Sequence, residues 1–166
     1  LCIIPMFFMG FVLFFFRVPN RMKVGTDNQV TSVADGRVVI IDKVTENEFI
    51  KGECIQVSVY MDFFNVHVNY WPIDAYLPKA SELNEHTSVA VKSQYGDVFF
   101  RQIAGTFARR IVCHADEGNQ ILKADECGII KFGSRIDMFL PVDAEVKVKL
   151  GENVRGSETV IAELRK

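Results

Sequence analysis

The first sixteen residues, LCIIPMFFMGFVLFFF, carry no charge, and the first basic side chain is Arg17. The pattern changes from Val30 onward. GRVVIIDKV, ECIQVSVYM, TSVAVKS and DVFFRQIAG are short, rich in Val, Ile and Phe, and bounded by Gly, Asp and Asn, so each predicts a strand. Between the two regimes lies a polar, turn-rich connector, VPNRMKVGTDNQ. KASELNEHTS (79–88) has no apolar stripe and reads as a loop. GTFARRIVCHA is too short for periodicity to separate a helix from a strand. The run GIIKFGSRIDMFLP (128–141) alternates like a strand, yet Gly133, Ser134 and Arg135 interrupt its centre. A glycine there marks a bulge or a place where another group approaches the backbone closely.

These patterns divide the chain into an apolar segment (1–16), a connector (17–29) and one β domain (30–166). Sixteen apolar residues fall short of the roughly 20 that cross a bilayer as a helix. No small-residue cleavage site follows them, which argues against a signal peptide. Pro5 and Gly10 make the segment a poor soluble core helix. It is read as a truncated membrane anchor. Arg17, Arg21 and Lys23 follow it and, by the positive-inside rule, put the domain on the cytoplasmic side.

Composition narrows the function. A net charge of −2, without basic residues interleaved with aromatics, excludes a nucleic-acid surface. Cys2, Cys54, Cys113 and Cys127 form no C-x-x-C pair and have no His at ligand spacing. They read as free thiols of a reducing compartment, and no metal site is expected. G-x-S-x-G, Walker A, G-x-G-x-x-G and H-E-x-x-H are all missing.

EGNQILKADECGII (117–130) and LGENVRGSETVIAEL (150–164) share a Gly turn, an apolar residue, a second turn, an acidic residue and an apolar strand. This resembles the strand–turn–strand hairpins of biotinyl and lipoyl carrier domains, and ADGRVVIIDKV (34–44) resembles their opening strand. The fold expected is mainly β, a compact β-sandwich or barrel-sandwich-like domain behind an N-terminal membrane helix. Neither hairpin presents the lysine that such carriers modify.

Few residues are equipped for chemistry. His86 reads as a solvated loop residue and His114 as a half-buried strand residue. His67 differs, because MDFFNVHVNYWP sets Asn65, His67 and Asn69 at alternate positions of an apolar segment, on one face if it is a strand. It is either a structural histidine or a functional one. Asp35, in VADGRV, is either a turn residue or a site carboxylate. Arg109 and Arg110 are either exposed strand residues or phosphate ligands.

Four stretches together resemble phosphatidylserine decarboxylase in its short, single-anchor bacterial form. They are ADG (34–36), FNVHVN (64–69), QIAGTFARRIVC (102–113) and GIIKFGSRIDMFLP (128–141). FFFRVPNR and GENVRGSETVIAEL extend the resemblance over almost the whole chain. The resemblance implies a proenzyme that cuts itself between Gly133 and Ser134, giving a β chain (1–133) and an α chain (134–166). Ser134 attacks the Gly133 carbonyl, and elimination then turns Ser134 into an N-terminal pyruvoyl group. That cofactor forms a Schiff base with phosphatidylserine, whose decarboxylation yields phosphatidylethanolamine.

His67 is then the expected base and Asp35 its orienter, by the logic of a nucleophile–base–orienter triad. Asn65, Asn69, Arg109, Arg110 and Arg135 become candidate substrate ligands. A bacterial cytoplasmic membrane location and a homodimer are implied as well. Three departures stand out. Tyr70 replaces the second His of the H-x-x-H in longer members, FGSR replaces LGST, and Asp62-Phe63 replaces a Ser-Pro. The competing readings are a non-catalytic, membrane-tethered carrier or adaptor module and an inactive lipid-binding homologue.

Overall fold

Valines and isoleucines alternating with polar residues extend the chain into long strands, because branched side chains pack well on a pleated surface. The computed structural model describes residues 3–83, 86–105, 111–130 and 134–165. One helix, α1 (Ile3–Phe15), precedes fourteen described strands. These are β1 (Gln29–Thr31), β2 (Gly36–Glu46), β3 (Gly52–Met61), β4 (Val68–Tyr70), β5 (Ala75–Leu83), β6 (His86–Ser93) and β7 (Gly96–Ile103). Then come β8 (Ile111–Cys113), β9 (Gln120–Ile121), β10 (Glu126–Ile130), β11 (Ser134–Pro141), β12 (Glu145–Val146), β13 (Asn153–Val154) and β14 (Val160–Glu163). The fold is mainly β.

The largest sheet has eight strands in the order β13-β2-β3-β11-β7-β6-β5-β9, and every neighbouring pair in it runs antiparallel. Alternation along β11 sends Ile136, Met138 and Leu140 into the main core with Val57, Val59, Met61 and Phe100. The opposite face carries a smaller cluster of Cys54, Ala90, Phe99 and Phe139, with Phe49 and Ile50 packed against it. Arg101 lies on that face, paired with Glu46 at 3.0 Å and Glu48 at 2.8 Å.

Two three-stranded sheets, β1-β14-β12 and β4-β10-β8, complete the domain. They share a construction that explains the internal similarity. Gly118 and Gly151 have φ of 90° and 83°, and Ala124 and Ser157 have φ of 78° and 66°. In each segment the glycine opens the way to a short strand of the large sheet (β9 or β13). The second left-handed residue then redirects the chain into a small sheet (β10 or β14). The peptide N–H of Ala124 donates to Trp71 O, and that of Ser157 to Ser32 O. The two strands of each unit therefore do not pair with one another, so the hairpin expectation is corrected to a crossover between sheets.

Two further expectations change. Residues 79–83 and 86–88 are not a loop: they belong to β5 and β6, laddered through Leu83↔His86, and residues 84–85 lie outside the described residues. Backbone hydrogen bonds hold this part of the sheet, so no apolar stripe is needed there. The stretch 105–115 ends as the strand β8, while its residues 106–110, which include Arg109 and Arg110, lie outside the described residues. Helix α1 has 13 residues, and no helix among the described residues is long and apolar enough to cross a membrane.

Gly128 sets the approach of β10 to its neighbours, lying opposite Asn69 on one side and Cys113 on the other. A Cβ there would stand 2.2 Å from Val112 O. Gly128→Ala is expected to cost about 1–3 kcal/mol through this overpacking. A lowered thermal unfolding midpoint would register it.

Candidate active site

The register of β11 on β3 places Ser134 directly opposite Met61. Both side chains are buried, and the Ser134 hydroxyl donates to Met61 Sδ at 3.1 Å. Thioether sulfur is a weak acceptor, so this contact leaves the hydroxyl readily available to a stronger base. Ser134 lies on the core side with Ile136 and Met138, while Arg135 points to the other face and pairs with Asp137 at 2.8 Å. Arg135 is thus directed away from Ser134. It lines a shallow cleft of about 430 Å³ with His86, Arg101, Ile103 and Asp137. His86 therefore begins a strand rather than occupying a loop.

From Met61 the chain turns at 62–65 and returns through His67 into β4. The turn is braced by Asp62: its N–H donates to Asn65 Oδ1 at 2.8 Å and its carboxylate accepts from the Phe64 N–H at 2.8 Å. Asn65 is consequently a turn residue and shares no strand face with His67 and Asn69, since the paired strand begins only at Val68. Asn69 is buried. Its Oδ1 accepts from Gln102 Nε2 at 2.9 Å, and its Nδ2 donates to Met61 Sδ at 3.9 Å. One thioether therefore links Ser134 to the Asn69–Gln102 pair.

His67 is wholly buried, and neither ring nitrogen has a hydrogen-bond partner among the described residues. The Phe15 ring of α1 stacks on it, with centroids 4.1 Å apart and planes at 28°. Its carbonyl accepts from the Ile130 N–H at 3.1 Å, which ties His67 to the end of β10, four residues before Ser134. Burial lowers the imidazole pKa, and the Arg17 charge adds to the effect. The nearby Asn65 backbone and the Asp62 charge oppose it without reversing it. His67 is therefore held neutral. Leaving such polar atoms unpaired costs about 1–3 kcal/mol each. Buried orphans of this kind call for a chemical explanation.

Asp35 is not a hydrogen-bond partner of His67 among the described residues. Its carboxylate accepts from Arg21 Nη2 at 2.9 Å and from the Gly156 N–H at 2.8 Å. Arg21 and Asp35 are both largely buried, and Arg21 Nη1 also donates to Gly156 O. Arg21, a flanking charge in the sequence, thus pins the connector to the domain. The Arg21 guanidinium lies 5.7 Å from the Tyr70 ring centre. Burial pushes the Tyr70 phenol up to about 12, and its hydroxyl donates to Pro19 O at 3.2 Å. Tyr70 therefore stays protonated near neutral pH and cannot serve as a base. Gly133 lies outside the described residues, as do Arg109 and Arg110.

A buried serine and a buried polar pair meet at the Met61 thioether, and His67, a buried base, is tied through its backbone to the strand that leads to Ser134. A family profile described as phosphatidylserine decarboxylase matches residues 8–162. The chain belongs to the phosphatidylserine decarboxylase family. Among curated relatives, the phosphatidylserine decarboxylase proenzyme of Amoebophilus asiaticus is 43% identical over 92% of this chain and 75% of its own length. Those of Parabacteroides distasonis and Porphyromonas gingivalis are 41% and 40% identical, over 93% and 98% of this chain and 78% and 81% of their own lengths. No solved structure matches the chain.

The family is one of decarboxylases whose curated relatives are proenzymes. Within the site, sequence reasoning misses Gln102 and Met61. Gln102 is detectable as a polar residue at an inward position of DVFFRQIAG, one strand away from Ser134. Met61 has no such signal, because a methionine ending an apolar strand looks like any core residue.

Proposed function

We propose that the chain is a self-processing enzyme that converts phosphatidylserine to phosphatidylethanolamine. The observation that carries this reading is a buried Ser134, together with a buried His67 whose ring nitrogens have no partner among the described residues, in a member of this family. Ser134 Oγ transfers its proton to His67 while forming a bond to the Gly133 carbonyl. The Gly133–Ser134 C–N bond then breaks, the amine takes up a proton, and the two parts are joined by an ester. Elimination follows, a base taking the Ser134 α-proton as the Oγ–Cβ bond breaks, which releases chain 1–133 as a carboxylate. The dehydroalanine left behind tautomerises to an imine, and one water adds as ammonia leaves, giving a pyruvoyl group at the start of chain 134–166.

The site fits such a group. Ser134 begins a strand laddered to β3 on one side and to β7 from Arg135 on the other, so the new terminus stays in place after the cut. The pyruvoyl carbonyl supplies the electron-accepting centre for decarboxylation of an amine-bearing substrate. The rest of the work falls to the chain. His67 holds and returns a proton, and Asn69 is fixed by Gln102. The buried Gln102 Oε1, which has no partner among the described residues, offers an acceptor to the substrate amine. Packing around Met61 and Phe15 excludes water. Asp35 acts as a positioning residue through Arg21, and Arg135 is left out of the site.

The fold is read further as barrel-sandwich-like, supported by the repeated crossover between sheets. Helix α1 and the connector are read as holding the domain at the cytoplasmic membrane of a bacterium, on its inner side. Intact-mass spectrometry of the purified chain tests the function. Two fragments are expected, the smaller beginning with a pyruvoyl-modified residue 134, together with CO₂ release from phosphatidylserine. An uncut chain would favour a non-catalytic module, and cleavage without CO₂ release an inactive lipid-binding homologue.

A further inference from the structure

Between Met61 and His67, the chain exposes two adjacent aromatic rings at the tip of a braced turn. Phe63 is 42% and Phe64 70% exposed. Two neighbouring rings on a short turn are costly to leave in water. The turn is also joined to the apolar helix. Phe63 stacks on Phe11 with centroids 5.4 Å apart and lies 5.5 Å from the Phe15 ring. Arg17 bridges the two elements, its Nη1 donating to Phe14 O and its Nη2 to Phe64 O, both at 2.8 Å. The α1 surface is apolar and exposed along its length, from Ile3 and Ile4 through Phe7 and Phe8 to Leu13.

We propose that the Asp62–Asn65 turn is a second membrane-inserting element, with Phe63 and Phe64 seated in the outer acyl region of a phospholipid bilayer beside α1. This rests on the reading of the chain as an enzyme of membrane phosphatidylserine. The occupant is a bilayer because the exposed surface is continuous with an uncharged apolar helix, and because Arg17 puts a cation at the junction of helix and turn, where it can pair with lipid phosphate. Rigidity supports the role: bonds through Asp62 and Asn65 fix the turn, so burying its rings does not require it to be ordered first. The turn links the residue that touches Ser134 to the residue proposed as base, so seating it in lipid sets the site at headgroup depth.

The test uses the full chain carrying Phe64→Trp, at a position exposed enough to accept the larger ring. Trp71, the one native tryptophan, is buried in the core and supplies a background measured on the unsubstituted chain. Vesicles of phosphatidylethanolamine, phosphatidylglycerol and phosphatidylserine, with or without acyl-chain bromination, are the probe. The proposal expects the chain to float with the vesicles, the emission of the introduced indole to shift to the blue, and brominated lipid to quench it. Flotation with a water-like, unquenched indole in the turn overturns the inserted turn and leaves the decarboxylase reading standing. A chain that fails to float overturns the turn and the membrane anchor together. Decarboxylation of dispersed short-chain phosphatidylserine then still judges the activity separately.

Discussion

Ser134→Ala is expected to leave the chain as one uncut polypeptide without decarboxylase activity. The substitution removes the only atom at that position able to attack the preceding carbonyl, and with it the precursor of the pyruvoyl group. Packing should barely change, because among the described residues the lost hydroxyl donates only to the Met61 thioether, and Ala fits a site that already holds Ser. A folded, full-length species by gel and mass spectrometry, with a thermal midpoint near that of the unsubstituted protein, is the outcome foreseen. Two fragments from the Ala variant would remove Ser134 from the mechanism. Ser134→Thr keeps a hydroxyl but adds a methyl next to Met61, so slowed rather than abolished cleavage is expected.

His67→Gln is expected to slow self-cleavage by about 10²–10⁴-fold, the usual contribution of a positioned general base. Gln approximates the size of the ring without accepting a proton at neutral pH. The pH dependence in the unsubstituted chain should carry the signature of the buried imidazole. Attack needs the neutral form, and burial moves the pKa below the ordinary value near 6.5. Cleavage should therefore persist where a free imidazole is already half protonated, and fall only as the pH passes below the lowered value.

Phe15→Ala uncovers one face of the ring and should move that limb upward, toward the free value. A merely structural Phe15 would change stability and leave the limb in place. The same group sets a stability trend. Because its folded pKa lies below its unfolded one, its contribution is complete above about pH 6.5 and is lost as the pH falls through the folded value. Denaturant titrations below pH 6.5 would record the loss, and the Gln variant should lack it.

Much of this site is legible one residue at a time. Ser134 stands out because Gly-Ser-Arg breaks an alternating strand, and His67 because a polar residue recurs within an aromatic, apolar run. Partnership is harder to read. Asp35 looks like an orienter, but Arg21 lies only fourteen residues earlier and reaches it through the fold of the connector. Arg135, adjacent to Ser134 in sequence, points to the opposite side because neighbouring side chains on a strand alternate faces. Asn65 shares a spacing of two with His67, yet the turn begins where that periodicity would need a strand. The polar 79–88 segment reads as a loop because its ladder depends on backbone groups, which every residue carries.

By itself, the sequence determined the β character of the domain, the apolar N-terminal segment, the Gly133–Ser134 pair and the repeated Gly-turn units. Each of these is a local matter of side-chain period, β-branching or turn chemistry. The tertiary structure alone decided that Met61 joins Ser134 to Asn69 and Gln102, that Phe15 caps His67, and that Asp35 belongs to Arg21. Those pairings depend on strand register and on contacts between residues up to 73 positions apart. A one-residue slip in register would turn the same side chains to the other face, so no local pattern could specify them.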